Sequence, residues 1–181
     1  MRIAIDMDEV LSDTHAAKVE LYSRHFGYAW TDDEMRGRHV ADLATPEHTA
    51  VIEAELQSGM AFAGFAPVDD AVETLRELSE KHDIFIATAA MDYPASCLHK
   101  IAWMERYFPF VPRRNLVLCG DKSIINADVL IDDSPHHFAR FVGQGILFAA
   151  HHNAEADWPE RIDRWSDAPA VIDRLDPARA A

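Results

Sequence analysis

Asp6 and Asp8 stand two residues apart at the end of the short apolar run Ile3-Ala4-Ile5. Extended backbone turns both side chains to one face, and two carboxylates about 4 Å apart repel by roughly 4 kcal/mol at an effective dielectric of about 20. A chain that assembles such a pair needs a cation to hold it, and a divalent metal is the first candidate. Three later apolar runs end in groups that fit the same purpose: Thr88 after Ile84-Phe85-Ile86-Ala87, Lys122 after Leu116-Val117-Leu118-Cys119, and Asp132-Asp133 after Val129-Leu130-Ile131. Singly, each reads most simply as a cap, a turn former or a solvated side chain. As an ordered set they suit phosphoryl transfer through an aspartyl phosphate. A carboxylate can attack phosphorus once Mg²⁺ and a lysine mask the phosphate's charge. Mg²⁺ takes hard oxygen ligands, which Asp6, one of Asp132 and Asp133, and a main-chain carbonyl near Asp8 would supply. Lys122 balances the remaining negative charge and the Thr88 hydroxyl holds phosphate oxygens. Asp8 is then free to protonate the leaving alkoxide and later to activate water.

The elements that must position these groups are short buried strands alternating with helices. Continuous apolar runs mark strands covered on both faces, and a fifth follows at Ile146-Leu147-Phe148. Helices are expected over 12–26, stopped by Gly27, from a cap-like start at Thr31-Asp32-Asp33-Glu34, and from Thr45-Pro46 to about Gln57. Further helices are expected over 69–82, 94–108 and 137–142, and in a tail containing Trp158, Trp165 and 171–175. The pattern implies an α/β fold, a doubly wound, Rossmann-like parallel sheet. About seventy residues separate the first two strands, where a crossover takes a dozen or more. The surplus implies a small helical cap over 16–65, inserted after the first strand, on a catalytic core of 1–15 and 66–181. A segment leaving the sheet there overlies the carboxyl ends of the strands, where ligands bind in open α/β sheets and where a lid belongs.

The motifs Asp6-Met7-Asp8-Glu9-Val10, Thr88, Lys122 and Asp132-Asp133 resemble those of the haloacid dehalogenase-like phosphatase superfamily. The resemblance implies Asp6 as nucleophile, Asp8 as general acid and base with its carbonyl on Mg²⁺, Thr88 on phosphate and Lys122 orienting both. One of the paired acids ligates the metal directly, Asp133 being preferred over Asp132. More narrowly, segments 83–88, 100–108, 120–123 and 127–133, Ile146-Leu147-Phe148, His152-Asn153 and Trp165 resemble the 5'(3')-deoxyribonucleotidases. That likeness covers nearly the whole chain outside the cap. It implies a deoxyribonucleoside 5'- or 3'-monophosphate as substrate, Lys100 assisting phosphate binding, Ala89 beside Thr88 in the phosphate-binding motif, and cap aromatics Phe62 and Phe65 clamping the nucleoside. It also suggests that His152-Asn153 brace the site. Three departures bear on substrate contacts: Glu9 stands where many members carry Gly, Gly120 where an Arg is common, and Ala89 where a Ser is frequent.

The bulk of the chain sets limits on these readings. Its 181 residues, 49% hydrophobic and 27% charged, fit one soluble domain with an insertion. A formal charge of −14 argues against nucleic-acid polymers and anionic membranes as partners, but not against a small phosphorylated substrate held at a local cationic site. No apolar run approaches the roughly 18 residues of a membrane span, and the opening residues lack the order of a signal peptide. A cytoplasmic location is therefore expected, and a homodimer is compatible with the chain. Cys97 and Cys119 have no metal or redox spacing. Ten histidines include the adjacent pairs 136–137 and 151–152, which read as surface or local hydrogen-bonding residues rather than zinc ligands. Two other classes of function fit the residues less well. A signalling receiver module also gathers acids, Thr and Lys at strand ends, but carries its paired acids first and its phosphorylated Asp later, and lacks the insertion. A catalytically silent binding protein has no need of the full set of Asp6, Asp8, Thr88, Lys122 and Asp133. A phosphatase of another small metabolite is the nearer alternative.

Overall fold

The computed structural model describes residues 1–176. Six strands, β1 (Arg2–Ile5), β2 (Asp83–Thr88), β3 (Leu116–Leu118), β4 (Val129–Asp132), β5 (Gln144–Phe148) and β6 (Arg161–Ile162), form one sheet in the order β3-β2-β1-β4-β5-β6. Every pairing is parallel. Successive strands run outward from β1 in one direction and from β4 in the other, so the order reverses between β1 and β4. In open sheets the crevice at such a reversal receives ligands. Asp6 and Asp132-Asp133 leave the sheet at this point, and the Asp6 N–H donates to the Ile131 carbonyl at 2.9 Å.

Strand alternation sends Ile3 and Ile5 into one apolar layer, with Trp103, Trp165, Leu75 and Ile172, and Ala4 into the other, with Leu130, Phe138, Phe141 and Leu147. Helices α1 (Thr14–Phe26), α2 (Asp32–Met35), α3 (Pro46–Gln57) and α4 (Ala71–Ser79) lie between β1 and β2; α5 (Cys97–Tyr107) follows β2 and α6 (Ala168–Leu175) ends the described chain. Gly27 closes α1 in the left-handed region at φ 74°, which costs a glycine nothing. Thr31 and Glu34 form a reciprocal capping box at α2, and Thr45 caps α3 with Pro46 in its first turn.

Residues between α1 and the return to the core build an apolar cluster of their own. Leu21, Tyr22, Val40, Ile52, Leu56 and Phe62 pack together, with Tyr93 reaching in from the segment after β2. The two connections to this segment are hydrogen-bonded side by side: the Asp13 N–H donates to Ala66 O and the Val68 N–H to Leu11 O, each at 2.8 Å.

The expected helix over 137–142 does not form. Pro135–Phe138 makes a single 3-10 turn. Phe138 and Phe141 must both reach the apolar layer beside Leu147, and Gln144 is drawn straight back to the Asp128 carbonyl at 2.8 Å, leaving no room for two helical turns. The sixth strand, β6, has two residues, too few to leave a periodic signal. No helix among the described residues is long and apolar enough to cross a membrane.

Candidate active site

The loop after β1 carries most of the chemistry and is tightly wound. The N–H groups of Leu11 and Ser12 both donate to the Met7 carbonyl, at 2.9 and 2.8 Å, and the Glu9 N–H donates to Ser12 O at 2.9 Å. Glu9 takes a left-handed conformation, φ 61°. The buried Trp165 indole reaches across from the far end of the chain and donates to the Val10 carbonyl at 2.7 Å.

This loop and the other strand ends form two clusters, each centred on a lysine whose side chain is almost wholly buried. In the first, Lys122 Nζ donates to Asp6 Oδ1 at 2.6 Å and to Asp132 Oδ2 at 2.5 Å. Asp132 is saturated: the same Oδ2 meets His137 Nδ1 at 2.8 Å, and Oδ1 accepts from the Ser134 N–H at 2.9 Å. These bonds outweigh burial and hold its carboxyl below the usual range. Lys122 itself is held protonated: burial opposes the charge, but Asp6 and Asp132 more than offset it. Asp133, also buried, has the His152 ring beside it, with Nε2 at 3.4 Å from Oδ2. Burial, then the charges of Asp6, Asp132 and Glu9, push its carboxyl well up. Burial likewise raises Asp6 to about 6, against the pull of Lys122.

In the second cluster, Lys100 Nζ is bonded to Asp8 Oδ2, donates to Thr88 Oγ1 at 3.1 Å and lies 4.8 Å from the centre of the Phe62 ring. The Thr14 hydroxyl donates to the other oxygen of Asp8 at 3.2 Å. The charge repulsion expected between Asp6 and Asp8 is thus met by two lysines, one to each carboxylate. Oxygens of Asp6, Asp132 and Asp133 also lie within 4.8 Å of one another, an all-oxygen set able to hold a metal ion. The set fits a hard divalent cation, because three carboxylates share one lysine and, among the described residues, Asp133 meets a histidine ring rather than a lysine or arginine.

Of the remaining residues named from sequence, Ala89 is half-buried beside Thr88. Phe62 and Phe65 are buried, their rings 5.1 Å apart, and the Phe65 carbonyl accepts from the Trp103 indole at 2.8 Å. Phe65 lines a cavity of about 360 Å³ with Leu21, Ala61 and Gly64, and a second cavity, of about 170 Å³, is lined by Tyr22, Val40, Ile52, Tyr93, Glu9 and His152. Sequence reasoning does not point to His137 or Tyr93, nor to the pairing of Glu9 with His152. His152 Nδ1 meets Glu9 Oε2 at 3.2 Å; burial would raise Glu9, but this bond and the nearby Lys18, His152 and His15 hold it at about 2. Asn153 donates to the carbonyls of Asp133 and Phe148 at 2.7 and 2.8 Å, fixing the backbone behind the paired acids. The resemblance points to His152-Asn153; an asparagine following a strand is by itself too common a signal to do so.

The family model described as "5' nucleotidase, deoxy (Pyrimidine), cytosolic type C protein" (NT5C) matches residues 1–179. The chain belongs to this family. A Bacillus subtilis protein named 5'(3')-deoxyribonucleotidase is 32% identical over 170 residues, covering 91% of this chain and 94% of that one. A Staphylococcus epidermidis protein given the same name provisionally is 39% identical over 175 residues, 97% of each chain. The crystal structure of a haloacid dehalogenase-type hydrolase from Deinococcus radiodurans, with bound phosphate and sodium, shares the fold with a TM-score of 0.62 at 13% identity, covering 96% of this chain and 95% of that one. The motif resemblance thus holds at the level of the family. The protein is a deoxyribonucleotidase-like phosphatase, a phosphoric monoester hydrolase on a haloacid dehalogenase-like fold.

Proposed function

We propose that the protein hydrolyses deoxyribonucleoside 5'- or 3'-monophosphates through a phosphoryl group carried transiently on Asp6. The observation that supports this most is the Lys122 ammonium seated between Asp6 and Asp132, 2.6 and 2.5 Å away, at the reversal of the strand order. Lys122 occupies one oxygen of Asp6 and orients the other toward the crevice. That oxygen attacks phosphorus and the ester P–O bond breaks. Asp8, held by Lys100 and Thr14, gives its proton to the leaving alkoxide, then takes one from the water that cleaves the acyl phosphate. Thr88 and Lys100 hold the phosphate oxygens, and Ala89 flanks them.

Mg²⁺ is the cation we assign to the site, held by Asp6, Asp133 and the main chain near Asp8, where it would neutralise phosphate charge. Asp132 is the poorer ligand because both of its oxygens are already engaged. Residues 16–65 act as a cap. The nucleoside takes the cavity between Tyr22, Ile52 and Tyr93. Its volume of about 170 Å³ suits a small ligand, and aromatic walls suit a base.

The test is phosphate release from a panel of deoxyribo- and ribonucleoside monophosphates and sugar phosphates, with and without EDTA, by wild type and Asp6→Asn. Metal-dependent release from the deoxyribonucleotides, abolished in Asp6→Asn, is expected. Release by Asp6→Asn at the wild-type rate would overturn the assigned nucleophile, and a preference for sugar phosphates the assigned substrate.

A further inference from the structure

Beside the carboxylate cluster lies a second group of ligand atoms with different chemistry. Glu9 comes from the loop after β1, His152 from the turn after β5, and His39 from the segment between α2 and α3. Oxygen and nitrogen atoms of these three side chains lie within 4.8 Å of one another. His39 stacks on His152, ring centres 4.4 Å apart and planes 17° apart. His152 Nδ1 is 3.2 Å from Glu9 Oε2, close to the separation of about 3.3 Å that two ligands adopt around a tetrahedral zinc with bonds near 2.0 Å. The other ring nitrogen, Nε2, is buried and lies 3.4 Å from Asp133 Oδ2 without forming a hydrogen bond, so Nδ1, which faces Glu9, is the atom offered to a metal. His39 is exposed, and a ring nitrogen already lies within 4.8 Å of the other two ligand atoms.

We propose that Glu9, His39 and His152 bind a borderline divalent cation such as Zn²⁺, beside the all-oxygen cluster that His152 also touches through Asp133, in the wall of the cavity assigned above to the nucleoside, and joining the inserted segment to the core. Two imidazoles and one carboxylate are the donor set that selects zinc over magnesium, with a fourth position left for water. The three ligands come from three separate stretches of chain, so no spacing in the sequence announces them. Lys18 and Arg38 line the same cavity, and their charge sets a moderate affinity. Nearby, His15 and His151 stack at 4.0 Å, but neither joins the three-atom group.

The experiment is equilibrium dialysis of the full chain against Zn²⁺ in excess Mg²⁺ and without substrate, together with the visible spectrum of the Co²⁺ form. Retention of one Zn²⁺ per chain, and Co²⁺ bands of a four-coordinate nitrogen–oxygen site, are expected. His39→Ala, at an exposed position, should weaken Zn²⁺ at least about tenfold, the loss that even an outer-shell change produces, and leave Mg²⁺ affinity unchanged. Glu9→Gln should weaken Zn²⁺ as well. Failure to retain Zn²⁺ over Mg²⁺ overturns the proposal, as does wild-type Zn²⁺ affinity in both variants.

Discussion

Replacing Lys122 by methionine keeps the length of the side chain and removes its charge, which makes the change a clean probe of the first cluster. In the wild type Nζ sits 2.6 Å from Asp6 Oδ1 and 2.5 Å from Asp132 Oδ2, with all three side chains buried. Removing one partner of a buried pair costs about 3–5 kcal/mol. Asp132 keeps His137 and the Ser134 amide, so Asp6 carries most of the loss. About 4 kcal/mol, at about 2–4 °C per kcal/mol for a domain of this size, lowers Tm by about 8–16 °C near neutral pH. The pH dependence separates this account from simple loss of packing. Lys122 has a raised folded pKa, so its stabilisation is fully present below the ordinary lysine value and constant from about pH 5 to 7. Asp132 has a lowered one, so its contribution is present above the ordinary carboxylate value of 3.8 and lost only below it. What changes in this window is Asp6, already raised to about 6 in the wild type. Without Lys122 it moves higher, takes up a proton as the pH falls, and recovers part of the lost stability. Thermal unfolding by circular dichroism in EDTA, at about pH 7 and about pH 5, measures both. Equal Tm values near pH 7, or a deficit that does not shrink on acidification, would refute the reasoning.

Asp8→Asn leaves the attack by Asp6 in place but takes away the base for water. Intact-mass spectrometry should show a phosphoryl adduct during turnover, with the rate lowered by about 10²–10⁴; a fast, adduct-free variant would remove Asp8 from that role. Metal-free wild type should lose stability as the pH rises from about 4 to about 6, because the folded state then binds more protons than the unfolded one. Asp6 alone, moved from 3.8 to about 6, accounts for about 3 kcal/mol, and Mg²⁺ added near neutral pH should restore it; a flat Tm profile in EDTA would contradict this. Gly59→Ala should destabilise by about 2 kcal/mol or more in urea unfolding. Its φ is 78° and a Cβ there would lie 2.4 Å from the Ala95 carbonyl carbon, so a silent substitution would mean that this contact yields easily.

The fold was legible where burial left a pattern. Continuous apolar runs marked β1 to β5 because a parallel sheet covers both faces, and the caps at Thr31 and Thr45 marked helix starts because the side chain itself makes the bond. The strand ends followed, and with them the carboxylates, Thr88 and Lys122. The structure gathers Asp6, Asp132, Asp133 and Lys122 in one cluster, and Asp8, Thr88 and Lys100 in the other. Less legible was anything fixed by contacts distant in sequence. Residues 9 and 152 pair across 143 positions, and 10 and 165 across 155. The cavity walls depend on how the inserted segment seats against Tyr93, which neither propensity nor periodicity encodes. The resemblance pointed to Phe62 and Phe65; Phe62 lies against Lys100 and Phe65 lines a cavity of its own, while Tyr22 and Tyr93, which the sequence did not announce, line the cavity beside Glu9 and His152.

Glu9 ties these features together. A side chain at φ 61° costs about 1–2 kcal/mol relative to glycine, and the resemblance puts glycine at this position in many relatives. A strained backbone persists only where its surroundings over-determine it. Three contacts do so here: the Glu9 amide to Ser12, the indole of Trp165 on the next carbonyl, and the Glu9 carboxylate on His152 Nδ1. The last also brings a carboxylate close enough to raise Asp133. The cost at Glu9 therefore increases the negative potential at the carboxylate cluster, and the His39 ring covers the outer face of its partner. Glycine would relax the loop and lose both effects. The same carboxylate thus raises the need for a cation at the core and anchors the histidine on which the inserted segment rests.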